Sequence, residues 1–243
     1  MDPQGQLGKA LGLDVRRPRR SAIELLVDAV LGDEARSESL DAPASGAELP
    51  ALPTRIPHLD VVVANKSLAL FPGWTGSRHE AGDPTGRLAA GLARNPEVES
   101  YDFVLVDAPP SFGALTLNVL RACSEVVVPV PLTYLALDGC AELMRTLDTV
   151  RLHYGNPSLR VAMVIPTFYR RTRLAHEVLE KLKARFPKEI AHTVVGMYVK
   201  IDEAQSRGLS IFEHAAADRG AKVMAALAEE LEARALPEPG GQP

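Results

Sequence analysis

Asp107 closes the apolar run Phe103–Val106 in YDFVLVDAPPSFG (101–113) and is followed at once by Ala108-Pro109-Pro110-Ser111. Its aromatic and β-branched content reads as a buried strand. An acid leaving the C-terminal end of a parallel strand points into the crevice where such sheets hold ligands. A carboxylate there suits a hydrated Mg2+ beside a phosphate. The competing reading is a helix cap or turn residue. The two prolines stiffen the turn that leaves the acid. A second acid, Asp2, opens Asp2-Pro3-Gln4-Gly5, whose Pro and Gly suit a strand exit although only Met1 precedes them. A phosphate cradle needs Gly-x4-Gly-Lys followed by Ser or Thr, so that backbone N–H groups wrap the phosphates and the hydroxyl meets Mg2+. GQLGKA (5–10) fails, because two residues separate its glycines and Ala10 replaces the hydroxyl. GDPTGR (82–87) fails for lack of a lysine.

The net charge is −4, which gives no global attraction to nucleic acid, so any such contact needs a local patch. One candidate exists. Arg170, Arg171, Arg173, Lys181, Lys183, Arg185, Lys188, Lys200 and Arg207 concentrate in one third of the chain. Positive charge facing phosphates is sufficient for backbone binding, which weakens steeply with salt. The competing reading is a solvated helix face with Glu177, Glu180 and Glu189 as partners. A second basic run, Arg16, Arg17, Arg19 and Arg20, reads as a surface loop. Cys123 and Cys140 have no metal-ligand spacing and form no disulfide framework. They read as small core residues of a protein in a reducing compartment.

The elements that must position these residues follow from periodicity. The chain has 243 residues, 46% hydrophobic and 24% charged, and no apolar run of 18 or more. It is long enough for one large α/β domain or two small ones and has no membrane-spanning stretch. Ser21, Glu24 and Gly32 predict a capped helix. Residues 33–58 are largely polar and rich in Ala and Pro, and read as a mobile surface connection. Apolar strands are expected at 59–65, 103–106, 124–132, 159–169 and 190–199. Helices are expected at 86–94, 137–155, 173–187 and 220–236, with a disordered tail over 236–243. Strands alternating with helices imply a mostly parallel sheet flanked by helices.

Several segments in register resemble the ParA-type partitioning ATPases, a group of ParA/MinD-like P-loop ATPases. VLVDAPPSFGALTLNVLRACSEVVVPV looks like their Walker B strand and the helix after it. DPQGQLGKALGLD resembles the segment after their second strand, YLALDG their Tyr-Tyr-Ala-Leu-Glu-Gly stretch, and RRTRLAHEVLEKLKARF their Arg-Thr helix. TVVGMYVKIDEAQSRGLSI resembles the stretch near the adenine. The order holds from residue 2 to about 235, weakly over 33–60. The implied fold is a P-loop NTPase of the deviant Walker A type, as one ParA-like domain over 1–235 that lacks the first βαβ opening. The phosphate loop of the family lies upstream of its Asp-Pro-Gln segment, so Met1 is expected to be internal to a longer natural protein.

The resemblance also implies roles. Asp2 would orient the attacking water and Asp107 would hold Mg2+ through water. Gly196, Met197, Tyr198 and Glu203 would face the adenine of ATP. Arg171, Arg173, Lys181, Lys183, Arg185, Lys200 and Arg207 would meet DNA without sequence preference. A ParB-like activator, an ATP-dependent homodimer and a cytoplasmic, nucleoid-associated location are expected, with no membrane contact. The sequence departs from the family at several of these positions. Gly196-Met197-Tyr198 replaces Pro-Arg-Asn, Gln205 a Pro, Leu209-Ser210 a Lys-Pro, Pro131 a Gln, Thr133 a Glu and Tyr169 an Asp. Loss of the Asn removes a bidentate partner for adenine. A non-hydrolysing ParA-like scaffold or regulatory subunit is therefore the alternative. A MinD-type membrane ATPase conflicts with the acidic, then Pro/Gly-rich C-terminus. A nitrogenase-type reductase conflicts with the helical placement of both cysteines.

Overall fold

The computed structural model describes residues 1, 3–15, 21–27, 49–71, 83–109 and 113–235. They fall into two compact units, Met1–Cys123 and Ser124–Pro243.

In the first unit β1 (Ala51–Pro53) pairs antiparallel with β2 (Asp60–Val62), Leu52 opposite Val61. The expected surface connection 33–58 therefore ends in ordered structure, with Leu49 buried; residues 28–48 lie outside the described residues. The hairpin is joined by helices α1 (Gln6–Ala10), α2 (Ala22–Val27), α3 (Arg87–Ala93) and α4 (Ala114–Ala122). Glu24 accepts the Ser21 backbone N–H at 2.8 Å, the reciprocal half of the expected capping box. Leu25, Leu26, Leu68, Phe71, Leu88, Leu115 and Val119 form the core. Each such side chain contributes roughly 1.5–3 kcal/mol by leaving water. Helices α2 and α3 approach so closely that a Cβ at Gly91 would lie 2.1 Å from the Leu25 carbonyl oxygen, so only glycine fits there.

Asn118 ties α4 to the turn before α3. It is fully buried. Its Nδ2 donates to the carbonyls of Pro84 at 2.9 Å and Ala114 at 2.8 Å, and its Oδ1 accepts the Leu88 N–H at 3.1 Å. Beside it Arg121 pairs with Asp83 and donates to the Thr85 hydroxyl at 2.5 Å. Burial pushes the Asp83 carboxyl up, but hydrogen bonds from Arg121 and Thr85 outweigh it and leave the pKa at about 2. The stabilisation from this pair is thus complete above the ordinary carboxylate range and is lost as pH falls through about 2. Protection of the Leu88 amide, taken relative to its intrinsic exchange rate at each pH, should therefore fall only well below pH 4. Loss of that protection at neutral pH would contradict the arrangement.

The second unit is an α/β layer structure. Parallel strands β3 (Glu125–Pro131) and β4 (Arg160–Thr167) are joined by α5 (Ala136–His153), a βαβ crossover. Leu132 N donates to Thr167 O. With the two-residue alternation of a strand, the missing N–H groups of Pro129 and Pro131 therefore face away from β4, where a ladder bond is not lost. Alternation also gives β4 two covered faces. Val164 joins Ala175, Val178, Leu179 and Leu182 of α6 (Arg173–Arg185). Met163 and Ile165 pack on Leu227 of α9 (Arg219–Ala235). Short helices α7 (Val199–Ser206) and α8 (Ile211–Ala215) lie between.

Two expected strands differ. Phe103–Val106 is not a strand, and Phe103, Val104 and Leu105 are exposed, Leu105 to 78%. Among the described residues no neighbouring strand pairs with it, so neither ladder bonds nor a covered face holds it in the sheet. Residues 190–199 run beside β4 only through isolated bridges, Val164 with Ile190 and Tyr169 with Gly196. The tail 236–243 lies outside the described residues.

Candidate functional site

Asp107 sits in the first unit, exposed, at the end of the extended 103–107 segment. Its backbone carbonyl accepts a hydrogen bond from the Met1 ammonium at 2.7 Å. This brings the opening segment beside Asp107. Asp2 itself, like Pro110, Ser111 and the run Arg16–Arg20, lies outside the described residues. The glycine-bearing decoy is helical: Gln6–Ala10 is α1, and Lys9 Nζ donates to the Gln4 carbonyl at 2.6 Å. In GDPTGR, Asp83–Gly86 is a turn pinned by Asp83, Arg121 and Asn118.

The other candidates belong to the second unit. Gly196 bridges Tyr169, Met197 is exposed, and Arg170 Nε lies 3.0 Å from the Met197 sulfur. Tyr198 precedes α7 and packs against α9: a Cβ on Gly220 would meet its Cβ at 3.1 Å. Glu203 is held by Lys200 at 2.8 Å and by His214 Nε2 at 3.1 Å, and both bonds, Lys200 first, pull its pKa below the ordinary range. Arg207 approaches the other ring nitrogen of His214 at 3.4 Å. Gly196, Met197 and Tyr198 thus end the segment beside β4 and lead into α7, whose middle carries Glu203.

The basic residues divide by environment. Thr172 caps α6 by accepting the Ala175 N–H at 3.2 Å, which places Arg171 just ahead of the helix, exposed. Burial of Ala175, Val178, Leu179 and Leu182 turns the charged positions outward. Arg173 pairs with Glu177 at 2.8 Å and Lys183 with Glu180 at 3.0 Å, as the solvated-face reading expects. Arg185 lies over the Phe186 ring at 5.9 Å. Arg171 and Lys181 are exposed and make no ion pair among the described residues. Exposed pairs on a helix contribute only about 0.3–0.5 kcal/mol, so they break readily when a stronger anion arrives.

The sequence reading did not single out Asn118, His214, Glu230 and Arg234. It also placed no helices at α7 and α8. The Ser210–Glu213 spacing was a signal for α8, and both halves of that capping box form. Burial pushes both cysteine thiols up, in keeping with their reading as core residues.

A parallel βαβ unit covered on both faces by helices is the architecture of nucleotide-dependent α/β proteins. A family model described as an AAA domain matches residues 1–161. The chromosome-partitioning ATPase Soj of Thermus thermophilus is 39% identical over 236 residues, covering 96% of this chain and 82% of its own length. The sporulation initiation inhibitor protein Soj of Bacillus subtilis is 31% identical, covering 96% and 84%. Cobyrinic acid a,c-diamide synthase from Mycobacterium smegmatis superposes at TM-score 0.68 and 25% identity, over 99% of this chain and 85% of that one. Its structure with ADP and magnesium matches at TM-score 0.59 and 30% identity, over 76% of this chain and 66% of that one. The class is thus the ParA/MinD-like P-loop ATPases. Within it, the chain belongs to the Soj/ParA chromosome-partitioning family.

Proposed function

We propose that this protein is a ParA-like partitioning ATPase that binds ATP and Mg2+, dimerises with ATP, and holds DNA without sequence preference so that a chromosome, plasmid or other cargo is positioned. The observation that carries the proposal is the similarity to the Thermus Soj ATPase over 96% of the chain. Asp107 is the Mg2+ carboxylate, with Asp2 orienting water, and a ParB-like protein is the activator. The donor set fits: an exposed carboxylate, without a side-chain hydrogen bond among the described residues, is available to a hydrated cation. The ion would supply charge neutralisation at the phosphates, while the chain's own groups position them. Gly196, Met197 and Tyr198 receive the base. The protein acts in the cytoplasm on the nucleoid; no helix of the described residues is long and apolar enough to cross a membrane.

DNA binding is read by retention of a random duplex in rising salt. Arg171→Glu and Lys181→Glu, both at exposed positions, should weaken retention about equally on all sequences. The salt slope should fall by roughly one for each phosphate no longer neutralised. An unchanged slope would assign these residues to the solvated face instead. A second reading, a non-hydrolysing scaffold or regulatory subunit, is favoured by the Tyr198 side chain, which packs on α9 where the family carries an amide. It predicts the same DNA retention with or without ATP.

A further inference from the structure

The segment that ends in Gly196–Tyr198 is held by the last helix. Along β4, Val164 N donates to Glu189 O at 2.9 Å, Ala191 N to Val164 O at 2.8 Å, and Val195 N to Pro166 O at 2.9 Å. Between Ala191 and Val195 the segment leaves β4. There the amides of His192 and Thr193 turn to the Glu230 carboxylate, at 2.8 and 3.0 Å. One turn along α9, Arg234 donates to the carbonyls of Glu189 and Ile190, each at 2.8 Å, and to Glu230 at 2.6 Å. The two side chains are only 14% and 20% exposed. Burial pushes Glu230 up, but the His192 and Thr193 bonds and the Arg234 charge outweigh it and keep its pKa below the ordinary range.

These are charge-assisted bonds: those to the His192 and Thr193 amides and the Ile190 carbonyl serve backbone groups that β4 does not satisfy, and the Glu189 carbonyl takes Arg234 as a second donor beside Val164 N, so together they fix the path of the segment at the place where its ladder fails. The same helix touches the segment at its other end, where Gly220 packs on Tyr198. Helix α9 thus contacts both the bend and the residues to which the bend leads. Met224, Leu227 and Leu231 seat it against Met163, Ile165 and Val195.

We propose that Glu230 and Arg234 are positioning residues, which through the bend at His192–Thr193 set the placement of Gly196–Tyr198 and with it the affinity for an adenine base. The proposal rests on the nucleotide reading given above. It deepens that reading by making the last helix part of base recognition rather than a cover for the sheet.

The test compares the protein with native termini and its Glu230→Ala variant by two readouts. The first is hydrogen exchange across 189–198. The second is the ratio of affinities for ATP and for inorganic tripolyphosphate, both with Mg2+. Exchange at His192 and Thr193 should accelerate, and the ratio should fall about tenfold, because only the base-dependent part of binding is disturbed. Glu230→Gln keeps an acceptor oxygen, so it should retain part of both and serves if the alanine variant does not fold. Unchanged exchange, or faster exchange with an unchanged ratio above one, overturns the proposal. A wild-type ratio of one overturns the nucleotide reading itself, and the proposal with it.

Discussion

Asp107→Ala, placed in the protein with native termini, should lower Mg2+-dependent ATP hydrolysis by about a hundredfold or more while leaving the unfolding midpoint unchanged. Phosphoryl transfer is largely positioning and charge stabilisation, so in the proposed role of Asp107 its removal strikes the step directly. The stability half of the expectation comes from the structure. Asp107 is exposed, and its hydrogen bond to the Met1 ammonium uses the backbone carbonyl, which alanine retains. A loss of rate therefore cannot be ascribed to unfolding. Steady-state phosphate release over a Mg2+ titration, with a thermal melt of the same sample, checks both halves. A variant as active as wild type would remove Asp107 from the site and return it to the role of a turn residue.

Asn118→Leu should have the opposite profile, costing roughly 2–4 kcal/mol of stability, as expected when buried polar groups lose their partners. Leucine has the branched skeleton of asparagine and leaves no cavity, while its bulkier methyl groups add an overpacking cost to the lost hydrogen bonds. The Leu88 amide and the Pro84 carbonyl would each lose the Asn118 partner that now reaches them at 3.1 and 2.9 Å. Both belong to the turn that starts α3, so the first unit should lose cooperativity where α2, α3 and α4 meet. Urea unfolding measures the cost, and a change below about 0.5 kcal/mol, the range of ordinary surface substitutions, would show that the turn is held by Arg121 and Asp83 alone.

What was legible in the sequence was local and periodic. The order β3, α5, β4, α6 followed from apolar runs of strand length and from apolar positions at helical spacing. Thr172 caps α6 in the structure, a signal that the sequence reading did not use. The final helix followed for the same reason. The family was legible because several short segments stood in the right order, and the comparisons agree with that reading. The segment before Asp107 was not legible in the same way. Phe103–Val106 has a strand's composition, but composition does not say whether a neighbouring strand is present to cover it, and in this structure Phe103, Val104 and Leu105 are exposed. The 190–199 stretch was read as a strand because it is apolar; the ladder is interrupted in its middle, where the two amides bond Glu230 instead. In the sequence Glu230 and Arg234 look like an ordinary surface pair four residues apart. Their partners lie some forty positions earlier and are backbone groups, which leave no trace in side-chain type.

The candidate site divides along the same line. Glu203 was implied by the family resemblance and the basic residues were identified by type, and the structure adds which of them already hold partners: Glu203 with Lys200 and His214, Arg173 with Glu177, Lys183 with Glu180. Arg171 and Lys181 are exposed and make no ion pair among the described residues, a distinction that charge counting could not make.

The most direct test of the proposed function is phosphate release from ATP by the protein with native termini, measured with and without Mg2+ and random-sequence DNA, alongside retention of that DNA with ATP and with ADP. A ParA-like ATPase shows Mg2+-dependent turnover, and holds DNA with ATP and releases it with ADP. Absence of turnover together with equal retention in both nucleotides would contradict that function and establish the scaffold reading in its place.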